Sequence, residues 1–172
     1  NLKIFAETLP LKESFTIARG SKQTADVIMV EITCDGRVGR GEAVPYARYG
    51  ESMETVTASI EQMIPALEQG MSRESLQTAL LPGAARNALD CALWDLEAKL
   101  ANKPLWEFAD LPEPTPLQTA LTISLDSPAV MASKAKQAKD YPLLKLKLGG
   151  QDGLAADFVR LSAVRQARPE AL

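Results

Sequence analysis

Leucines alternate with lysines near the end of the chain. Leu144, Leu146 and Leu148 alternate with Lys145 and Lys147, and a period of two is typical of a β-strand whose successive side chains point to opposite faces. Helical patterns flank this strand, and another strand-like segment precedes the first of them. Such a β-α-β-α series predicts a parallel sheet covered on both faces. An edge strand guarded by lysines is one interpretation. The βαβ setting favours a second interpretation, in which the two lysines serve a function. Burying an ammonium group in a sheet that is covered on both faces costs free energy unless the group has a partner or a functional role.

The first quarter of the chain predicts a three-stranded antiparallel meander. Its first strand should end at Pro10, and the dipeptide Asp35-Gly36 is a strong hairpin signal between the second and third strands. Gly39 and Gly41 lie in the third strand and lack the further glycine and directly following helix of a phosphate loop, so they indicate a bulge or close packing. The predicted strands cover 2–9, 24–34 and 37–44, with loops over 15–21 and 45–50.

Helical periodicity follows, and it is clearest over 84–100. There Ala85, Ala88 and Ala92 share the apolar face, and their small size would permit close helix packing. A proline-rich segment between Pro112 and Pro116 indicates a linker. The other predicted helices cover 52–68, 72–80, 128–139 and 152–166, and a further strand covers 117–125.

Composition narrows the chemistry. The 172 residues carry a net charge of −3 and have a pI of about 5.1, so no basic field suggests a nucleic-acid partner, and no apolar run suggests a membrane. Cys34 and Cys91 are isolated, which favours a reduced, cytoplasmic setting. The chain has no histidine. This excludes Ser-His-Asp and Cys-His nucleophile systems and leaves Lys, Asp, Glu or Tyr for acid–base chemistry.

Two motifs carry a resemblance to a known family. The stretch from Gly83 to Leu96, followed by Lys103-Pro104-Leu105, resembles the signature helix that ends the capping domain in the muconate-lactonizing subgroup of the enolase superfamily. Lys145-Leu146-Lys147 resembles that subgroup's Lys-x-Lys motif on the second barrel strand. The resemblance covers the whole chain and implies an α+β capping domain, with a three-stranded antiparallel meander plus helices, followed by the first βα units of a (β/α) TIM-like barrel.

The implied chemistry is abstraction of a proton α to a carboxylate, assisted by Mg²⁺. Epimerisation needs an acid–base group on each face of the α-carbon. The resemblance assigns one face to Lys147, with Lys145 beside it to stabilise carboxylate charge and to favour the neutral, basic form of Lys147. Catalytic side chains at the carboxyl end of a strand are typical of barrel enzymes.

Within the subgroup the likeness is greatest to the dipeptide epimerases of the L-Ala-D/L-Glu type, which are isomerases. The loops 15–21 and 45–52 are similar to the two capping loops that close over substrate. The resemblance implies that Arg19 binds the side-chain carboxylate of the substrate, a dipeptide with an acidic second residue. It also implies substrate contacts for Thr122, Tyr49 and Phe15.

The resemblance accounts for only part of a barrel enzyme. It implies a capping domain over 1–112 and two βα units over 113–172, with the metal ligands and a second catalytic lysine expected downstream of Leu172. These residues alone are therefore expected to be inactive. The open alternatives are another activity of the subgroup, such as o-succinylbenzoate synthase or a cycloisomerase, and a non-catalytic fragment or interaction module. A homo-oligomer is also left open.

Overall fold

The computed structural model describes all 172 residues, which divide into two compact units. The first unit comprises Asn1–Leu9 and Ala25–Pro114, and the second comprises Pro10–Thr24 and Thr115–Leu172. The segment Pro10–Thr24 therefore groups with the C-terminal residues, a division that the linear order of the predicted elements did not suggest.

The elements are numbered in chain order. The strands are β1 Leu2–Ile17, β2 Gly20–Cys34, β3 Arg37–Ala43, β4 Ala120–Ile123 and β5 Leu143–Leu146. The helices are α1 Met53–Glu61, α2 Ile64–Glu68, α3 Arg73–Ala79, α4 Ala84–Leu100, α5 Leu105–Phe108, α6 Pro128–Gln137 and α7 Leu154–Ala167, and a 3₁₀ turn covers Ala47–Tyr49.

The predicted meander is present as a sheet of order β1-β2-β3. β2 and β3 pair antiparallel, from Ile28 opposite Ala43 to Cys34 opposite Arg37. The turn between them is Asp35-Gly36, and both residues have positive φ, 46° and 74°. This is the conformation that an Asp-Gly hairpin turn requires, because its twist matches that of the flanking strands.

The predicted end of the first strand is wrong. β1 continues through Pro10 to Ile17, and only Ala18 and Arg19 form the turn before β2. Most of the segment predicted as a loop over 15–21 is therefore strand. Because β1 lies at the edge of the sheet, a proline that lacks an N–H group can be accommodated there without breaking a ladder.

Two other boundaries differ from prediction. The helix predicted over 52–68 is two helices, because Pro65 lies in the first turn of α2 and cannot continue the hydrogen bonding of α1. The strand predicted over 117–125 is restricted to β4, the part that pairs with β5.

The core of the first unit lies between the β2–β3 sheet and α4. Gly39 and Gly41 face the backbone of α4 so closely that a side chain at either would clash with it, and Ala88 and Ala92 are fully buried there. The predicted close packing is confirmed. Other buried members of this core are Ile28, Val30, Ile32, Val56, Ile60, Leu76, Leu89, Leu93 and Leu96.

The second unit contains a β-α-β-α segment. β4 and β5 are parallel, as predicted, with Ala120 opposite Leu143 and Ile123 opposite Leu146. Ser127 caps α6 by accepting a hydrogen bond from the N–H of Val130. None of the helices is both long enough and apolar enough to cross a membrane. The fold is therefore a three-stranded antiparallel sheet with helices followed by a parallel two-stranded start of a barrel.

Candidate active site

The two faces of β5 have different environments. Leu144 and Leu146 pack against the core residues Ile123, Met131, Ala135 and Val164, whereas Lys145 is exposed. Lys145 lies opposite Thr122 of β4 in the parallel register. The predicted division into a leucine face and a lysine face is confirmed, and Thr122 is the nearest neighbour of Lys145 on the paired strand.

Lys147 follows β5 directly and extends its pairing with β4. Its N–H donates a hydrogen bond to the carbonyl of Ile123 at 3.0 Å. Its side chain is half-buried, and Nζ lies 5.6 Å from the centroid of the Phe15 ring. This separation is within the range of a cation–π interaction. The structure therefore brings Lys147, just after β5, near Phe15 of β1, and it places Lys145 beside Thr122 on the paired strands.

Contacts within the second unit fix the hairpin that carries Phe15. The N–H of Leu125, just after β4, donates to the carbonyl of Thr16 at 3.0 Å. Lys134 of α6 forms an ion pair with Glu13 at 2.9 Å. Sequence reasoning missed Glu13 and Thr16, since each partner lies in a distant part of the chain. Arg19 occupies the exposed turn of the same hairpin.

Tyr49 belongs to the first unit and is 76% exposed in the 3₁₀ turn. Its ring lies 5.7 Å from that of Tyr46. The loop carrying both rings is held by Glu51, which was not predicted as a functional residue. The Glu51 carboxylate accepts the N–H of Tyr46 at 3.1 Å and that of Ala84, the first residue of α4, at 2.6 Å. An acidic side chain at a helix N-terminus is stabilising.

Among the 172 residues no group of three or more His, Cys, Asp or Glu side chains is placed to hold a metal ion. The acidic residues Asp152 and Asp157, which follow Lys147 along the chain, both pair with Arg160. Hydrogen bonding from Arg160 holds the pKa of Asp152 below its ordinary value. Both carboxylates are therefore engaged in ion pairs with Arg160.

Residues 1–109 match the model of the N-terminal domain of the mandelate racemase / muconate lactonizing enzyme family. The chain belongs to this family. The resemblance of the Gly83–Leu96 stretch to the enolase superfamily is thereby confirmed.

Family members with described activities include epimerases. The L-Ala-D/L-Glu epimerase of Escherichia coli K12 is 43% identical over 172 residues, which are 99% of this chain and 52% of that protein. The chain thus spans about half the length of the curated relatives it matches.

Solved structures of the family agree. A crystal structure from Agrobacterium tumefaciens, described as an enolase family member with homology to dipeptide epimerases and containing sodium and L-Ala-L-Glu, is 48% identical with a TM-score of 0.93, covering 99% of this chain and 51% of that one. The dipeptide epimerase of Enterococcus faecalis V583, complexed with Mg and L-Leu-L-Tyr, is 32% identical with a TM-score of 0.85, covering 96% of this chain and 49% of that one.

Proposed function

We propose that the complete gene product epimerises dipeptides by moving a proton at the α-carbon, and that Lys147 is the acid–base group on one face of that carbon. The observation that carries the proposal is the lysine face at the end of β5. There Lys145 is exposed while Leu144 and Leu146 pack against the core, and Lys147 Nζ lies 5.6 Å from the centroid of the Phe15 ring. Similarity to epimerases over the whole chain supports it.

The two lysines would have different roles in the reaction. A proton α to a carboxylate is weakly acidic, so its removal requires both a positioned base and stabilisation of the negative charge that develops. Lys147, which is half-buried and lies near the Phe15 ring, would remove or return the proton. Lys145, exposed opposite Thr122, would place positive charge beside the substrate carboxylate. Thr122 would contribute a hydroxyl group to the same face.

We propose Mg²⁺ as the cofactor, since the Enterococcus faecalis relative was crystallised with it. When bound, such an ion would stabilise charge on the substrate carboxylate. Among the 172 residues no group of three or more His, Cys, Asp or Glu side chains is placed to hold the ion, and the part proposed for this chain is the lysine face and the hairpin.

The proposed substrate is a dipeptide with an acidic second residue. Arg19, on the turn of the hairpin that carries Phe15, would bind the side-chain carboxylate, and Tyr49 would contact substrate from the loop held by Glu51. The relatives named for L-Ala-D/L-Glu and bound to L-Ala-L-Glu support this choice. A second candidate is a dipeptide with an apolar second residue, favoured by the relative complexed with L-Leu-L-Tyr.

The test is Lys147→Ala in the complete gene product. Epimerisation of L-Ala-L-Glu should be abolished, and exchange of the α-proton with solvent deuterium should be lost for one of the two epimers only, because the other face keeps its own acid–base group. The matched control is Lys139→Ala, which removes an exposed lysine just after α6. Retained exchange with both epimers in the Lys147 variant would contradict the assignment.

A further inference from the structure

Arg160 of α7 is a buried arginine that joins the ends of both parallel strands. It is 7% exposed. Its Nε donates to the carbonyl of Asp126, beyond β4, at 2.9 Å. Its Nη1 donates to Asp152 at 2.9 Å and to Asp157 at 3.0 Å, and a second bond from Nη2 reaches Asp152. A single guanidinium group thus ties the segment after β4 to the segment after β5.

Asp157 carries this connection back to the strand. It is 8% exposed, and while Oδ1 accepts from Arg160, Oδ2 accepts the backbone N–H of Gly149 at 2.8 Å. Gly149 has a φ of +91°, a region that favours glycine. Gly149 lies two residues after Lys147, and its backbone is held in this conformation by a charge-assisted hydrogen bond to the Asp157 carboxylate.

These contacts hold the backbone on both sides of Lys147. On one side its own N–H is bonded to the carbonyl of Ile123 at 3.0 Å; on the other, Gly149 is bonded to Asp157. A catalytic side chain must be held within a fraction of an ångström of its productive position, and a displacement of about 1 Å can cost about 100-fold in rate.

We propose that Asp157, itself held by Arg160, is a positioning residue. By fixing the backbone just after β5, it sets the orientation of the Lys147 side chain. The proposal rests on the proposed function of Lys147. It assigns a task to two buried charged residues that make no contribution to the lysine face itself, and that sequence reasoning placed on an ordinary helix. The i, i+3 spacing of Asp157 and Arg160 is the signal that could have indicated an ion pair.

A second buried arginine of the same helix region offers a control. Arg168, also 7% exposed, donates to the carbonyls of Ala135 at 3.2 Å, Ala138 at 2.7 Å and Tyr141 at 3.2 Å. These carbonyls lie at the end of α6 and before β5. Arg160 therefore holds the carboxyl end of β5 and Arg168 the segment entering its amino end, so both are structural but only one adjoins Lys147.

The experiment compares Asp157→Asn with Arg168→Lys in the complete gene product. For Asp157→Asn we expect α-proton exchange with deuterium to fall on the order of 10- to 100-fold for the epimer served by Lys147. Exchange of the other epimer and KM should change little. For Arg168→Lys we expect lower thermal stability with an unchanged ratio between the epimers. An unchanged ratio in Asp157→Asn, or an equal change in both variants, overturns the proposal. If Asp157→Asn does not fold, Arg160→Lys replaces it with the same expectations.

Hydrogen–deuterium exchange of backbone amides separates this proposal from the proposed function. Asp157→Asn should increase amide exchange at 147–149, whereas Arg168→Lys should not. If the wild-type protein exchanges no dipeptide α-proton while the amides respond as expected, the epimerase proposal is wrong, but the proposal that Asp157 holds the backbone after Lys147 is supported. If amide exchange at 147–149 does not increase in Asp157→Asn, the proposal that Asp157 holds this backbone is wrong, whatever the enzyme activity.

Discussion

Gly41 of β3 should not tolerate even a methyl group. A Cβ atom at this position would clash with the carbonyl oxygen of Ala88 and lie 2.8 Å from the amide nitrogen of Ala92, whereas ordinary contact begins at 3.4 Å. Both atoms belong to the backbone of α4, which cannot rotate aside as a side chain can. To restore ordinary contact with the Ala92 nitrogen, the helix would have to move about 0.6 Å away from Gly41. The Ala88 oxygen would require a larger shift. Gly41→Ala therefore requires α4 to move away from the sheet.

The size of the effect follows from two opposing contributions. Burying one methyl group stabilises by about 0.8 kcal/mol, but overpacking a well-packed core costs a net ~1–3 kcal/mol and occasionally more. Because the obstacle is helix backbone, and α4 supplies much of the buried core of this unit, we expect the upper end, about 3 kcal/mol of unfolding free energy. Gly36→Ala is the control. No atom lies within 4 Å of its added Cβ, but its φ is +74°, so its cost should be conformational, about 1–2 kcal/mol.

The assay is urea unfolding followed by tryptophan fluorescence. Trp94 lies on α4, with its ring edge-on to Phe108 at 5.8 Å and the Arg73 guanidinium 3.5 Å from its centroid, so its emission should report displacement of the helix. A loss below about 1 kcal/mol for Gly41→Ala, or one no larger than that of Gly36→Ala, would refute the packing argument.

Two further predictions concern binding and pH. Arg19→Ala should lower turnover of L-Ala-L-Glu relative to L-Ala-L-Leu by an amount equivalent to about 2–5 kcal/mol, because a charge-assisted contact is lost; kcat/KM for both dipeptides measures this, with Lys22→Ala as control. The Ser52 hydroxyl lowers the pKa of Glu54, so this carboxylate stabilises the fold above pH ~4.5 and the contribution is lost as the pH falls. Ser52→Ala should therefore make the urea midpoint less dependent on pH below that value, while Ser59→Ala should not.

The outcomes that would contradict these predictions are specific. Equal losses on both dipeptides would give Arg19 a structural role only and favour the candidate substrate with an apolar second residue. Parallel pH profiles for the wild-type protein and the Ser52 variant would show that the Glu54 carboxylate does not contribute to acid unfolding. Ser59 is a fair comparison because its hydroxyl bonds only to the carbonyl of Thr55 in the same helix, at 2.8 Å.

Local patterns in the sequence determined the identity of most elements. The alternation around Lys145 and Lys147 predicted a strand with a lysine face, because side-chain direction in a strand depends only on position. Likewise, Gly39 and Gly41 indicated a bulge or close packing and the alanines of α4 permitted close helix packing, since only small residues leave room for a close approach; the sequence did not indicate that these two elements pack on each other. The Asp35-Gly36 turn was predictable because few residue pairs adopt positive φ at low cost.

Tertiary structure decided the rest. Whether Pro10 ends a strand depends on whether that strand lies at an edge, and the sequence pattern carries no such information. Phe15 lies near Lys147, and Asp157, paired with Arg160, binds the backbone of Gly149. These contacts join elements whose approach is set by the packing of the whole second unit. Periodicity along a chain reports which face of an element is buried, but not which distant element will cover it. The sequence alone therefore determined the lysine face, whereas only the packed fold determined what surrounds it and what holds it in place.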